Sequence, residues 1–209
     1  IFSLEMSVAQ LADRFLAAEA HVDSWKLRTG KITSEDEFLR IRDAMDRLSK
    51  APIYIDDDAS NNIIKMRSAA RRIQSQHGLG LIVVDYLQLI RPIRDSDSEV
   101  QQITEISRNL KALAKELNIP ILAVSQLSRS SEMRTDQRPK LSDLRSSGSI
   151  EQDADVVLLI YREDKVKKDT DKKGIAEIMI EKHRNGPTGK VELFFDEDSV
   201  SFKNLAKGI

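Results

Sequence analysis

Three polar residues stand directly after apolar segments that have the composition of β-strands. Asp85 ends the apolar stretch 81–84, Gln126 ends the segment "IPILAVSQ", and Glu5 follows "FSL". In α/β domains ligands bind at the carboxyl ends of the strands, where an aspartate can hold a Mg²⁺ ion that bridges phosphate groups. A glutamate can polarise a water molecule there, and an amide can contact the phosphate or orient that water. The residue types therefore predict a site for a phosphate compound and its metal ion.

Each of these residues also has a simpler explanation that the residues alone leave open. Asp85 could cap a neighbouring loop, and Gln126 could satisfy backbone groups. A glutamate in the first turn of a helix is favoured by the helix dipole, and for Glu5 taken alone that explanation is the better one.

Two cations, Lys182 and Arg184, stand two positions apart at the tip of a predicted hairpin. Both therefore point to one face of the strand, about 7 Å from each other. Such a pair can be a solvated hairpin end, or it can be an arginine finger and its partner that reach a phosphate bound elsewhere.

The segment "SDLRSSGSIEQDAD" combines Arg145 with small residues and Gly148. A glycine lets a ligand approach the backbone closely, and backbone N–H groups with one arginine suit a nucleic-acid phosphate chain. Basic residues precede the segment, at Arg129, Arg134, Arg138 and Lys140. The alternative is an exposed, mobile surface loop.

The elements that must position these residues alternate between strands and helices. The segments "GLIVVDYLQLI", "IPILAVSQ" and "ADVVLLIYR" are nearly continuous apolar runs, which predict strands buried on both faces. "PIYI" predicts a further short strand, and three segments after residue 173 alternate as antiparallel strands do. The pattern predicts an α/β fold with a mostly parallel sheet flanked by helices and a C-terminal antiparallel extension.

Composition limits the kinds of partner that the chain can have. Its 209 residues carry 33 Lys and Arg against 34 Asp and Glu, a net charge of -1, so a contact with nucleic acid requires a local basic patch. The chain has no cysteine, which excludes disulfides and thiolate metal sites, and no apolar run approaches the length of a membrane span. Ile1 in place of Met, inside a predicted strand, predicts a piece of a longer protein.

Five segments, in this order, resemble the motor domain of bacterial and phage replicative helicases of the DnaB type. The similarity extends from Phe2 to Phe202 and is carried by "FSLEMS", "LIVVDYLQLI", "ILAVSQLSR", "RPKLSDLRSSGSIEQDADVVLLIYR" and "EKHRNGPTGKVELFF". The resemblance implies that residues 1–209 are one RecA-like three-layer ATPase domain. It also implies a homohexameric ring around single-stranded DNA that unwinds duplex DNA at the replication fork with ATP and Mg²⁺, in the 5'-3' direction.

The same resemblance assigns a role to each candidate residue. Glu5 is the catalytic base, Asp85 binds Mg²⁺ through ATP, and Gln126 couples the nucleotide to DNA. Lys182 and Arg184 reach the ATP of the neighbouring subunit, and Arg14 contacts a phosphate. Arg145, Ser146 and Gly148 lie in a central-channel loop that binds single-stranded DNA, although the family usually has a glutamate where this sequence has Ser146.

The resemblance further implies primase and a helicase loader as partners, and a place in the cytoplasm at the nucleoid. The phosphate-binding loop G-x-x-x-x-G-K-[ST] of this family occurs nowhere in the 209 residues, so we expect the chain by itself to be inactive. Two alternatives are a recombinase or clock-type relative, which "SGSIEQDAD" fits poorly, and a non-catalytic ring-forming or DNA-binding paralogue. Retention of all five candidate catalytic residues argues against the second.

Overall fold

The computed structural model describes residues 1–93, 98–128, 133–134, 137–167 and 169–205, with the backbone alone at 145–147. The helices are α1 (Val8–Ala20), α2 (Ser24–Thr29), α3 (Glu35–Lys50), α4 (Ile63–His77), α5 (Glu99–Leu117) and α6 (Gly148–Asp153). The strands are β1 (Phe2–Ser3), β2 (Ile82–Asp85), β3 (Ile121–Ala123), β4 (Val156–Arg162), β5 (Ile175–His183), β6 (Gly189–Asp196) and β7 (Ser201–Asn204). The described chain forms two compact units.

The first unit, built from residues 1–7, 54–159 and 180–188, contains a parallel sheet in the order β1-β2-β3. Phe2 lies opposite Val84, and Val84 lies opposite Ala123. The predicted strand "PIYI" is only an extended segment, joined to β1 by an isolated bridge between Phe2 and Asp56. Because β1 itself has only two residues, this pairing does not extend into a longer ladder.

One face of this sheet is covered by α4 and α5. Asn62 and Ser98 cap the two helices with side-chain oxygens that accept from backbone N–H groups of the first turn. Apolar residues at helical spacing then turn inward: Met66 and Leu113 are fully buried against Val84, which is also at 0 % exposure. Burial of one such side chain stabilises the fold by about 1.5–3 kcal/mol, so this core holds the strand ends in place.

The opposite face of the strands is not buried, which corrects the prediction of strands covered on both sides. Leu122 is 51 % exposed in β3, and Val156 and Leu158 of β4 are 43 % and 49 % exposed. In β4 exposed residues alternate with the buried Val157 and Leu159. The apolar runs are present as predicted, but no segment of the described chain covers their second face.

In the second unit, residues 8–53 form three short helices with a core of their own. Ala20, Val22 and Ala44 are buried there. Asp23 caps α2 by accepting from the backbone N–H groups of Trp25 and Lys26. This core is small, since alanines supply two of its three buried side chains.

The remaining strands form a second sheet in the order β4-β5-β6-β7, antiparallel at β6 and β7. Phe195 and Phe202 pack edge to face across that pair, with ring centroids 5.0 Å apart. The predicted α/β fold with parallel strands and a C-terminal antiparallel extension is therefore confirmed. The strands differ from the prediction in belonging to two sheets, because β3 and β4 make no ladder with each other.

Candidate active site

The carboxyl edge of the parallel sheet gathers three of the predicted residues. Ser3 lies opposite Asp85 in the register of β1 and β2, and Glu5 follows two residues later. The backbone N–H of Leu4 donates to the carbonyl oxygen of Asp85 at 2.8 Å, which holds the chain beside Glu5 against the end of β2. Gln126 follows β3 at the same edge, since β2 and β3 are parallel. The sequence predicted that each of these three residues stands at the end of a strand.

The two carboxylates at this edge are accessible, and no described cation pairs with them. Glu5 is exposed and Asp85 is half-buried. Among the described residues neither side chain has a hydrogen-bond or ion-pair partner. Two uncompensated carboxylates attract a cation, and oxygen ligands suit Mg²⁺. No group of three metal-ligating side chains is present in the described residues, so the other ligands of such an ion would be phosphate oxygens and water.

A residue that the sequence analysis missed, Gln88, supports the end of β3. Its side-chain amide donates to the hydroxyl of Ser125 at 3.1 Å and to the carbonyl oxygen of Gln126 at 3.2 Å. Its carbonyl oxygen accepts from the backbone N–H of Gln126 at 3.3 Å. Gln88 therefore fixes the backbone from which the Gln126 side chain projects. The signal was a single polar residue inside the apolar run "YLQLI".

Lys182 and Arg184 lie at the end of β5 as predicted, and both side chains have partners within the chain although Arg184 is exposed. Arg184 forms an ion pair with Asp155 at 3.0 Å between Nη1 and Oδ1, and its Nη2 donates to the carbonyl oxygen of Gln152 at 3.2 Å. Lys182 donates to the carbonyl oxygens of Glu151 and Gln152. Both side chains thus contact the C-terminal end of α6.

The segment around Arg145 is helical, not the loop that its composition suggested. Residues Leu141–Ser147 form a 3-10 helix that continues directly into α6, and the backbones of Arg145 and Ser146 belong to it; their side chains lie outside the described residues. Gly148 has φ -51° and ψ -17°, an ordinary helical conformation, and it is exposed. A role for Gly148 therefore cannot depend on a conformation that only glycine adopts. A Cβ atom at this position would have no neighbour within 4 Å, so a ligand has room to approach the backbone there.

One of the upstream cations, Arg134, has a structural partner. Its guanidinium contacts both carboxylate oxygens of Asp143, which is 2 % exposed, and it donates to the carbonyl oxygen of Arg138 at 2.7 Å. The guanidinium of Arg134 holds the pKa of Asp143 below its ordinary value, and the backbone N–H of Lys140 contributes. Arg134 therefore braces the start of the 3-10 helix. Arg129 lies outside the described residues.

Arg14, the additional predicted phosphate contact, belongs to the second unit. It lies on the exposed side of α1.

Among the described helices none is both long and apolar enough to cross a lipid bilayer.

Comparison with known proteins relates this arrangement to a family. The family model described as DnaB-like helicase C terminal domain matches residues 1–204. The chain is 51 % identical to the replicative DNA helicase DnaB of Geobacillus stearothermophilus and 48 % identical to the replicative DNA helicase DnaC of Bacillus subtilis (strain 168), each over 208 residues. Those matches cover 99 % of this chain but 46 % of each relative, so the chain spans less than half of their length.

Two solved structures have the same fold. One, described as an ATPase domain, superposes with a TM-score of 0.93 at 38 % identity, over 98 % of this chain and 73 % of that one. A DnaB-like replicative helicase, solved in a study of its interactions with primase, superposes with a TM-score of 0.94 at 38 % identity, over 98 % of this chain and 50 % of that one. The RecA-like fold predicted from the sequence is confirmed by these matches, and the chain belongs to the family of DnaB-like helicase C-terminal domains.

Proposed function

We propose that this chain is the motor part of an ATP-driven replicative DNA helicase. In this proposal six copies form a ring that moves 5'-3' along single-stranded DNA and separates the duplex at the replication fork, in the cytoplasm at the nucleoid. The observation that carries the proposal is the pair of carboxylates, Glu5 and Asp85, which have no partner among the described residues and stand with Gln126 at the carboxyl edge of the parallel sheet. That arrangement suits Mg·ATP as a substrate.

Each residue at the edge has a distinct part in hydrolysis. Asp85 would hold the Mg²⁺ that accompanies ATP, and that ion would neutralise charge on the phosphates. Glu5, which is exposed and pairs with no cation in the described part of the chain, accepts a proton from the water that attacks the terminal phosphate. Gln126, with its backbone fixed by Gln88, contacts the terminal phosphate and responds to its loss.

The remaining groups act between subunits and on DNA. Lys182 and Arg184 complete the ATP site of the neighbouring subunit, and Arg14 adds a phosphate contact. Arg145, Ser146 and Gly148 bind the phosphate chain of single-stranded DNA without reading its bases. Primase is a partner, which the solved relative described with primase supports, and a helicase loader is a second.

The 209 residues do not supply the whole site. Because the chain contains no G-x-x-x-x-G-K-[ST] sequence, the N–H cradle and lysine that hold the β- and γ-phosphates must come from elsewhere. We therefore expect no ATP hydrolysis by the 209 residues alone. Activity requires a longer polypeptide, called here the ring-forming polypeptide, in which a relative's segment with that loop is joined to Ile1.

The decisive experiment is Arg184→Ala in the ring-forming polypeptide. Loss of an arginine that serves a neighbouring site lowers the hydrolysis rate by about 10³-fold or more and leaves ATP binding nearly intact. When the variant is mixed into unsubstituted rings, activity should fall more steeply than the fraction of variant subunits. A strictly proportional loss would mean that Arg184 serves its own subunit. Absence of DNA-stimulated hydrolysis in the unsubstituted ring-forming polypeptide would refute the proposed function itself.

A further inference from the structure

The two cations proposed to act on a neighbouring subunit are bound within their own chain, at the C-terminal end of α6. Arg184 contacts Asp155 at 3.0 Å and the carbonyl oxygen of Gln152 at 3.2 Å, and its backbone N–H donates to the carbonyl oxygen of Asp155 at 2.8 Å. Lys182 contacts the carbonyl oxygen of Gln152 at 3.4 Å. While Arg184 makes these contacts, Nη1 and Nη2 of its guanidinium are both directed to acceptors of its own chain.

The contacts have a physical basis in the end of the helix. The last carbonyl groups of a helix have no partner within it and carry partial negative charge. α6 has six residues, Gly148–Asp153, and cations from β5 satisfy carbonyl groups of its last turn. The carboxylate of Asp155, two residues beyond, adds a full negative charge at the same point.

The same helical segment carries the candidate DNA contacts. The 3-10 helix Leu141–Ser147 leads into α6 without a break, so Arg145 and Gly148 belong to the same helical segment whose last turn Lys182 and Arg184 contact. Ser107 of α5 anchors the segment near that end through its hydroxyl, which donates to Asp153 at 2.8 Å. Gly148 and Gln152 are separated by about one helical turn, so a change in the contacts of the last turn acts close to the candidate DNA contacts.

The ion pair between Arg184 and Asp155 is weak enough to be broken and remade. The side chains are 51 % and 52 % exposed, so water screens their attraction. Lys111 of α5 also pairs with Asp155, and together with Arg184 and Lys182 it holds the pKa of this carboxyl below its ordinary value. Because Lys111 remains beside Asp155 when Arg184 departs, the carboxylate does not lose all of its counter-charge.

We propose that Asp155 is a positioning residue that retains Arg184 on its own subunit until the neighbouring ATP site and DNA draw it away. This inference rests on the proposed function, because it assumes that Arg184 acts on a neighbour. In the retained state Arg184 caps α6, and in the engaged state α6 loses that cap. Engagement of ATP on one subunit therefore releases the helix that leads to the DNA contacts, and DNA binding favours the transfer of Arg184.

The test measures ATP hydrolysis by the ring-forming polypeptide with and without single-stranded DNA. Asp155→Asn removes the charge that retains Arg184, so the DNA-free rate should rise by about 1.4- to 5-fold, the range that an exposed ion pair supports. The stimulation by DNA should fall by the same factor. Asp155→Glu keeps a carboxylate and should behave like the unsubstituted protein.

Two further variants separate this effect from a general change in charge or stability. Glu181→Gln removes a carboxylate from β5 three residues from Arg184, on the opposite face of the strand, and should leave both rates unchanged. Asp155→Asn combined with Arg184→Ala should show no rise, because the rise requires the arginine. An unchanged or lower DNA-free rate in Asp155→Asn, with Arg184→Ala still inactive, overturns the positioning role and leaves the proposed function standing. Full activity of Arg184→Ala would refute instead the action between subunits.

Discussion

Replacement of Gly148 by alanine should make the protein more stable and weaken its hold on DNA. Gly148 has helical dihedral angles, φ -51° and ψ -17°, which alanine adopts without strain. A Cβ atom built at this position meets nothing within 4 Å. Alanine at such a position stabilises a protein by about 0.4–1 kcal/mol, mainly because the unfolded chain loses freedom. For a chain of this length the melting temperature should rise by about 1–4 °C.

The effect on DNA has the opposite sign. If a phosphate group approaches the backbone at the start of α6, the new methyl group lies in its path. Loss of one hydrogen bond to a charged group costs about 1.5–3 kcal/mol, which corresponds to a loss in affinity of about tenfold or more. The dependence of affinity on salt should also become shallower, because each phosphate group that the protein no longer binds removes roughly 0.7 from the logarithmic slope.

The assay is fluorescence anisotropy with labelled single strands of two base compositions, in a salt series, on the ring-forming polypeptide. Arg145→Ala should reduce the slope similarly, equally for both sequences. Ser142→Ala, an exposed change in the same helical segment, is the matched control and should bind normally. A higher melting temperature with unchanged affinity in Gly148→Ala would mean that DNA does not approach α6. A lower melting temperature would contradict the helical conformation itself.

Two further predictions concern the 209-residue chain alone. Leu113→Ala, at a position with 0 % exposure, should lower the free energy of unfolding in urea by about 2–5 kcal/mol. Leu122→Ala, at a position that is 51 % exposed, should change it by less than about 1 kcal/mol. Equal losses would contradict the exposure of Leu122 on the uncovered face of the sheet. The pKa of Asp143 is lowered in the folded protein, chiefly by Arg134. The pair therefore stabilises the fold at pH values above the pKa of Asp143 in the unfolded chain, and this stabilisation is lost as the pH falls through the pKa of Asp143 in the folded protein. In Asp143→Asn the free energy of unfolding should therefore decrease less steeply as the pH is lowered below about 4. The same dependence on pH in the variant and the unsubstituted chain would rule out that contribution.

The sequence was sufficient to predict the carboxyl edge of the parallel sheet. A strand that is apolar over its whole length and then ends in Asp85 indicates both the layer and the end at which a polar group stands. The carboxyl ends of parallel strands share one edge of a sheet, so the alternation of strands and helices predicted that edge for Glu5, Asp85 and Gln126. The order β1-β2-β3, which makes them neighbours, does not follow from the apolar runs. Their chemistry stays a prediction, since residue types and placement alone do not distinguish a catalytic carboxylate from a structural one.

Long-range pairing limited what the sequence could predict elsewhere. Arg184 and Asp155 are 29 residues apart, and only the packing of β5 beside α6 brings them into contact. Hydrophobicity predicted that Leu122 and Leu158 would be buried, but it does not indicate which segment would cover them. A segment rich in serine and glycine was interpreted as a loop, although its backbone forms the 3-10 helix Leu141–Ser147, which a buried Asp143 and its partner Arg134 stabilise.

The use of Arg134 inside the fold changes how DNA binding by the proposed ring must work. Of the five cations counted between Gln126 and residue 154, Arg134 neutralises Asp143 and therefore adds little positive potential for a nucleic acid. Each subunit therefore offers fewer cationic contacts to a polyanion than this segment's composition suggests, in a chain whose net charge is -1. Weak contacts repeated around a ring give a high overall affinity, because the contacts of the other subunits keep each binding site close to the strand. A single subunit can then release DNA while the ring stays bound, which is the property that stepwise movement along a strand requires.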